Sequence, residues 1–322
     1  MKGFDAEFKD LDHYIRVITD RIWEGGRIDD IRRYYSNPCS VETPSSVSSD
    51  IEDVVNGTRA TLATFPDRRL LGEDIIWSGE ENGGYLSSHR IISTMTHRGD
   101  GQFGSASNRR IHARTIADCV CKDNRIIHEW LVRDQGAIAC QIGLTPRALA
   151  QIWLDSRGGW YKPKAGAVPA GYHSHVAIDG LAQAYAQTVE QMAHGAADMR
   201  LYDEAVQHIG PCETTRYGRL EVAGYWQALF GALQVDTFAI EHLVFNSGSG
   251  RPDRVAMRWR AMATHTNQTA EGMFGPASGH SVEIMGINHV EFVGGRVVRE
   301  WGLIDDVALW MQVLTVNTDV RA

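Results

Sequence analysis

The sequence predicts an α+β protein built from two tandem copies of one unit, and three observations carry that prediction. Blocks of residues recur in the same order in the two halves of a 322-residue chain. Each half opens with apolar residues three and four positions apart, the spacing of an amphipathic helix. Each half then changes to alternation of apolar and polar residues, the spacing of half-buried strands. Helices followed by an antiparallel meander make a layered unit, with the helices covering one face of a curved sheet.

The repeat is clearest in NRIIHEWLVRD (124–134) and GRVVREWGLID (295–305), where Arg125/Arg296, Glu129/Glu300, Trp130/Trp301 and Asp134/Asp305 coincide. SHRIISTMTH (88–97) lies over AMRWRAMATH (256–265), matching Arg90/Arg258, Thr96/Thr264 and His97/His265. FGSAS (103–107) lies over FGPAS (274–278), and PCSVET (38–43) answers PCET (211–214) across a two-residue gap. All these pairs stand about 170 positions apart and run collinearly, as a single diverged duplication requires.

In the first copy DAEFKDLDHYIRVITDRIW and SDIEDVVNGTRATLATF read as helices. RLLGEDIIWSG and YLSSHRIISTMTH then alternate around the turn ENGG, and RRIHARTIADCVC and NRIIHEWLVRD around KDN. The second copy repeats this order: helices in IDGLAQAYAQTVEQMAH and RLEVAGYWQALFGAL, then TFAIEHLVF and RVAMRWRAMATH around SGSGRPD, and HSVEIMGINHVEF and GRVVREWGLID around VGG. Between the copies LDSRGGWYKPKAGAVPAGYHSH (154–175) is rich in Gly and Pro and has no periodicity, which is linker composition. The expected division is a first domain over 1–158, a linker over 159–173 and a second domain over 174–322.

With 43% apolar residues, 22% charged residues and nine tryptophans, the chain can bury sizeable cores. A formal net charge of −8 argues against a nucleic-acid or anionic-membrane partner, since both need a basic face. No basic start leads into an apolar run and no apolar stretch is long enough to span a bilayer, so cytoplasm is the expected location. Cys39, Cys119, Cys121, Cys140 and Cys212 form no disulfide framework. Cys119-x-Cys121 lacks the ligand number and spacing of a zinc site, so buried thiols are expected. Nucleotide-binding and metalloprotease motifs are missing, and neither a metal nor an organic cofactor is expected.

The run VAMRWRAMATH…FGPASGHSVEIMGINHVEFVGGRVVREWGLIDDVALWMQVL (255–314) resembles the C-terminal half of a SnoaL-like polyketide cyclase domain, a family with the nuclear transport factor two-like fold. The matching features are an Arg/Trp-rich strand ending in Thr-His, a Phe-Gly-x-x-Ser loop, a Gly-rich turn, Glu-Trp-x-x-x-Asp and an apolar C-terminal segment. The first copy resembles the family over 85–143, closing with AIACQIG. This resemblance implies two tandem cone-shaped domains, each with N-terminal helices packed on a strongly bent antiparallel sheet. It also implies that the cones pair through their sheets within one chain, as a pseudo-dimer, with a further homodimer left open. Inside each cone it implies a cofactor-independent site whose general acid/base is an aspartate. That role carries over to Asp305 and Asp134, with His265 and His97 as their partners by matched position. The second copy is nearer the family pattern and ranks first. The interiors are not chemically equal, since Ala117-Asp118 stands where the second copy has Asn288-His289, and Leu131 where it has Gly302.

On a strand, Trp301 and Asp305 would share one face, as would Trp130 and Asp134, with Glu300 and Glu129 on the other. A carboxylate beside Trp and aliphatic groups has a raised pKa. Such a group suits the removal of a proton from a carbon next to a carbonyl and its later return. A neighbouring imidazole would hydrogen-bond the developing enolate oxygen. The reaction class is enolisation of a small carbonyl or polyketide-like compound, leading to aldol-type cyclisation or isomerisation. Trp301, His289, Arg258, Trp130, His112 and Arg90 are the expected substrate contacts, although a mid-strand arginine equally fits a buried salt bridge, with Glu129 or Glu300 the natural partner. Two other readings stay open. One is an epoxide-hydrolase-like addition of water, which needs an arginine between two aspartates. The other is a non-catalytic small-molecule-binding cone.

Overall fold

The structure is a computed structural model that describes residues 1–167, 180–196, 198–248, 250–267 and 272–315. In the first unit α1 (Leu11–Thr19) starts at Asp10, whose side chain accepts from the His13 amide, and continues as one wider turn through Glu24. A short α2 (Ile31–Tyr34) leads into β1 (Tyr35–Thr43) and β2 (Ser46–Ser48), and α3 (Ile51–Thr64) follows. The meander is β3 (Arg69–Glu80), β4 (Gly84–Thr96), β5 (Arg110–Lys122) and β6 (Arg125–Arg133), closed by α4 (Gln135–Ile142) and α5 (Pro146–Arg157). The second unit repeats the plan with α6 (Gly180–Ala193), β7 (Tyr202–Ile209), β8 (Thr215–Tyr217), α7 (Gly218–Gly231), β9 (Leu233–Asn246), β10 (Asp253–His265), β11 (Ser281–Val293), β12 (Arg296–Leu303) and α8 (Asp306–Leu314). Of the expected linker, residues 159–167 carry no regular structure and residues 168–173 lie outside the described residues. Among the described residues no helix is long and apolar enough to cross a membrane.

Each unit carries one six-stranded bent sheet, in the order β2-β1-β6-β5-β4-β3 and β8-β7-β12-β11-β10-β9. The sheets are mixed rather than wholly antiparallel: β1 runs parallel to β6, and β7 parallel to β12. The polar, proline-containing segment of β1 has no clean alternation, so its strand character is invisible to a periodicity argument. Register also corrects one block of the repeat. Glu42 lies beside Trp130 and Ile209 beside Trp301, so Pro44 answers Pro211, and the PCSVET/PCET pairing is displaced. The turns after β5 and β11 behave as the sequence demands. Asp123-Asn124 and Gly294-Gly295 all have positive φ, the geometry of a tight two-residue hairpin.

The outer faces of the two sheets meet. Leu86, Ile116, Trp130 and Val132 of the first pack with Met285, Ile287 and Leu303 of the second. Two arginines cross this contact in a reciprocal pattern, the mark of a two-fold relation within one chain. The Arg90 guanidinium lies 3.5 Å from the centre of the Trp301 ring, and that of Arg258 lies 3.7 Å from the centre of the Trp130 ring. Each also holds the glutamate of its own neighbouring strand, Glu73 at 3.0 Å and Glu241 at 3.1 Å. The symmetry then breaks. Arg258 donates to Asp118 across the contact at 2.6 Å, whereas Arg90 meets the His289 ring nitrogen at 3.3 Å, and His289 is fixed by Ser88 at 2.8 Å. Lys162, between the units in sequence, ties Glu42 to Glu283.

Candidate functional site

Alternation along β6 decides what enters the first cone. Trp130 and Val132 point into the contact between sheets, so Glu129, Leu131 and Arg133 point the other way, under the helices. There they line a cavity of about 560 Å³. Its walls are largely apolar, with Ile18 and Trp23 from the first helical segment, Val54 from α3, Ile91 from β4 and Trp153 from α5. Its polar lining includes Glu129, Tyr35, His89, Arg68, Arg133 and Asp305.

Glu129 is buried, and the Tyr35 hydroxyl donates to its Oε2 at 3.0 Å. Burial pushes this carboxyl up to about 7, against the Tyr35 hydrogen bond and the nearby Arg133. His89 is buried on the inner face of β4. Its Nε2 has no hydrogen-bond partner among the described residues, and burial with Arg16 and Arg90 nearby pulls its pKa down to about 3. The imidazole is therefore neutral. A side chain at Gly72 would come within 2.9 Å of that nitrogen, so the glycine makes room for the ring. Arg68 donates to the Ser93 hydroxyl at 3.2 Å, and burial together with Arg133 brings its pKa down to about 9, still charged at neutral pH. Burial lowers Arg133 as well, against the attraction of Asp305 and Glu129. Its Nε has no partner among the described residues. The cavity thus joins carboxylates and guanidiniums in an apolar shell.

The matched positions of the second cone are closed. Sheet register places Trp259 where the first cone has Ile91, Gly286 for Thr115, Asn288 for Ala117 and Met257 for His89, and the aligned sequences put Ile304 at the position of Arg133. A Cβ at Gly286 would fall 2.2 Å from the Trp259 ring, so this glycine is what lets the indole lie flat across the neighbouring strand. Trp259 packs with Phe238, Phe230 and Trp226, and its Nε1 donates to Asn288 at 2.8 Å. Asn288 donates in turn to Glu300, the counterpart of Glu129, which also accepts from the Tyr185 hydroxyl at 2.5 Å. Glu300 is fully buried in this network.

The residues singled out from sequence separate into three places. Asp134 and Asp305 do not continue the strands; β6 and β12 end before them and each aspartate caps the next helix. They consequently leave their tryptophans and cross to the other unit. Asp305 accepts from the Val307 and Ala308 amides at 3.0 and 3.1 Å, and it lines the first cone's cavity although it belongs to the second copy. Burial, reinforced by Asp306, pushes it up to about 7 against those two amide bonds. Asp134 accepts from Ala137 and from the Cys212 and Glu213 amides of the second unit. His97 and His265 hold their own loops: Nδ1 accepts from the Ser107 amide at 3.3 Å in one and the Ser278 amide at 3.1 Å in the other. Among the described residues neither imidazole makes a hydrogen bond to an aspartate. Trp130, Trp301, Arg90, Arg258 and His289 stand between the sheets rather than in a cavity, because the Trp face of β6 and β12 is the outer one. The glutamates expected to pair with these arginines point inward instead, and Glu73 and Glu241 take that place. His112 is exposed, its backbone clasped by the Gln141 amide.

Glu129, Tyr35, His89, Arg68 and Arg133 were not among the expected site residues. Alternation already set Glu129 opposite Trp130; what it does not reveal is which face becomes the interior.

Residues 180–313, the second unit, match the family model of the SnoaL-like polyketide cyclases. No curated protein matches the chain. Among solved structures, a SnoaL-like polyketide cyclase from Agrobacterium tumefaciens shares 17% identity, with 42% of this chain and 100% of that one covered and a TM-score of 0.35. IdmH from Streptomyces antibioticus shares 17% identity over 41% of this chain and 98% of its own, at a TM-score of 0.36. TsrD from Streptomyces laurentii shares 16% over 43% and 98%, at 0.37. The chain is therefore similar in its second half to the SnoaL-like polyketide cyclases, while the 560 Å³ cavity lies in its first.

Proposed function

We propose that the first cone is the working half of a cofactor-independent enzyme that enolises a small carbonyl compound, with Glu129 as general acid/base. The observation that carries this is Glu129 itself: a buried carboxyl, held by a tyrosine, on the wall of a largely apolar cavity. With a pKa near neutrality it can take a proton from a carbon beside a carbonyl and give it back at another position. The electron pair moves to the carbonyl oxygen, where Arg68 or Arg133 offsets the developing charge. Neutral His89 offers a further hydrogen bond to the substrate. The similarity of the second unit to polyketide cyclases supports a carbonyl-rich substrate and a cyclisation or isomerisation outcome. The test is deuterium uptake from D2O into a panel of aromatic β-keto esters, followed by NMR. Wild type should exchange the hydrogens beside the carbonyl, and Glu129→Gln should lose about 100-fold or more of that rate. Exchange that is unaltered in Glu129→Gln removes the assignment.

A second reading has one observation in its favour. Arg133 feels both Asp305 and Glu129, and all three line one cavity, a carboxylate–guanidinium–carboxylate set suited to adding water across an epoxide. Labelled oxygen from water appearing in a diol, lost in Asp305→Asn, with no deuterium uptake by keto esters, would select it.

A further inference from the structure

We infer that Asp134, Cys212 and Asp306 bind a divalent cation of the zinc class at the joint between the two units, leaving a fourth position for water. The three come from separate places: the cap of α4, the turn after β7 and the start of α8. Yet one donor atom of each lies within 4.8 Å of the others. Cys212 Sγ stands 3.5 Å from an Asp306 oxygen and 3.8 Å from Cys140 Sγ. Around a tetrahedral zinc, with Zn–S about 2.3 Å and Zn–O about 2.0 Å, a sulfur and an oxygen sit about 3.5 Å apart. The spacing of Cys212 and Asp306 matches.

A second observation points to a ligand. Asp306 is nine-tenths buried, and its Oδ1 has no hydrogen-bond partner among the described residues. It faces Asp134 across a gap that Gly136 keeps open, because a Cβ there would fall 2.8 Å from Cys212 Sγ and 3.2 Å from Asp306 Oδ1. A cation at this place would clamp α4 of the first unit to the 211–213 turn and α8 of the second, a structural rather than catalytic role. Sequence spacing could not show it, since no two of the three donors fall within a metal-binding motif.

The experiment uses the full chain, reduced and stripped with chelator, and cobalt(II) as the probe. One equivalent should produce the near-ultraviolet thiolate-to-cobalt band and the visible bands of a four-coordinate ion, and zinc should displace it. Cys212→Ser should abolish the thiolate band, and Asp306→Asn should weaken cobalt affinity by about 100-fold or more. Wild-type protein that is folded by circular dichroism but gives no thiolate band with cobalt overturns the proposal, as does a band that persists unchanged in Cys212→Ser. The wild-type spectrum decides even if a variant fails to fold.

Discussion

The two cones use one strand order and one Glu on the same strand, yet one is hollow and the other is filled at the matched positions. The difference rests on a cross-strand pair. Ile91 beside Thr115 leaves space above the first sheet, whereas Trp259 beside Gly286 fills it in the second. Once the indole is in place, Asn288, Tyr185 and Glu300 close into a buried hydrogen-bonded network. The duplicated glutamate then has no access to a small molecule. The lesson is that the half most similar to a catalytic family in sequence is the half whose interior became core. That half packs its outer sheet face on its partner and supplies Asp305 to the wall of the other cavity.

Removing the plug should have the largest effect on stability. Trp259→Ala deletes a fully buried side chain from a close-packed core, and chemical denaturation should show a loss of about 3–5 kcal/mol. Ile91→Ala, on the wall of a space that already exists, should cost about 2 kcal/mol or less. Equal losses would mean that both interiors are packed alike.

The contact between the sheets gives a comparable but asymmetric effect. Arg258→Met strands the buried Asp118, and breaking such a pair costs about 3–5 kcal/mol. Burial alone would raise that carboxyl, but Arg258 with His242 holds it down to about 2, so the pair is charged at neutral pH. Arg90→Met should cost less, about 1–3 kcal/mol, because Glu73 keeps Arg114 at 2.8 Å and His289 is neutral. Thermal unfolding of the two variants should rank them in that order.

Much of this organisation was legible in the chain. The collinear blocks, helix periods, four-strand meanders and glycine or asparagine turns all follow from local rules, and the inequality of the interiors shows in Ala117/Asn288 and Leu131/Gly302. The identity of the hollow cone was not legible, because it depends on whether one indole finds a glycine on the next strand. Nor was the face of β6 that turns inward, since Glu129 and Trp130 alternate in either case and packing between sheets makes the choice. Asp134 and Asp305 read as strand residues until the backbone turns at them into helices.

A smaller effect sharpens the electrostatic side. Glu129 has its folded pKa raised from 4.5 to about 7, so the stability it contributes is complete below about 4.5 and is lost as pH rises through about 7. Glu129→Gln has no charge to bury. Its stability relative to wild type should therefore be near zero at pH 4.5 and grow to about 2–3 kcal/mol by pH 8.5, measured by denaturant midpoints. A difference independent of pH would place Glu129 in contact with solvent.

The most direct test moves the plug. Ile91→Trp with Thr115→Gly transplants the cross-strand pair of the filled cone into the hollow one, leaving Glu129, Tyr35 and Arg133 untouched. The predicted result is a folded protein, of wild-type stability or higher, that has lost deuterium exchange into the keto esters wild type accepts. Wild-type exchange rates in a double variant whose crystal structure shows the indole filling the first cone would contradict a single working cavity in this chain.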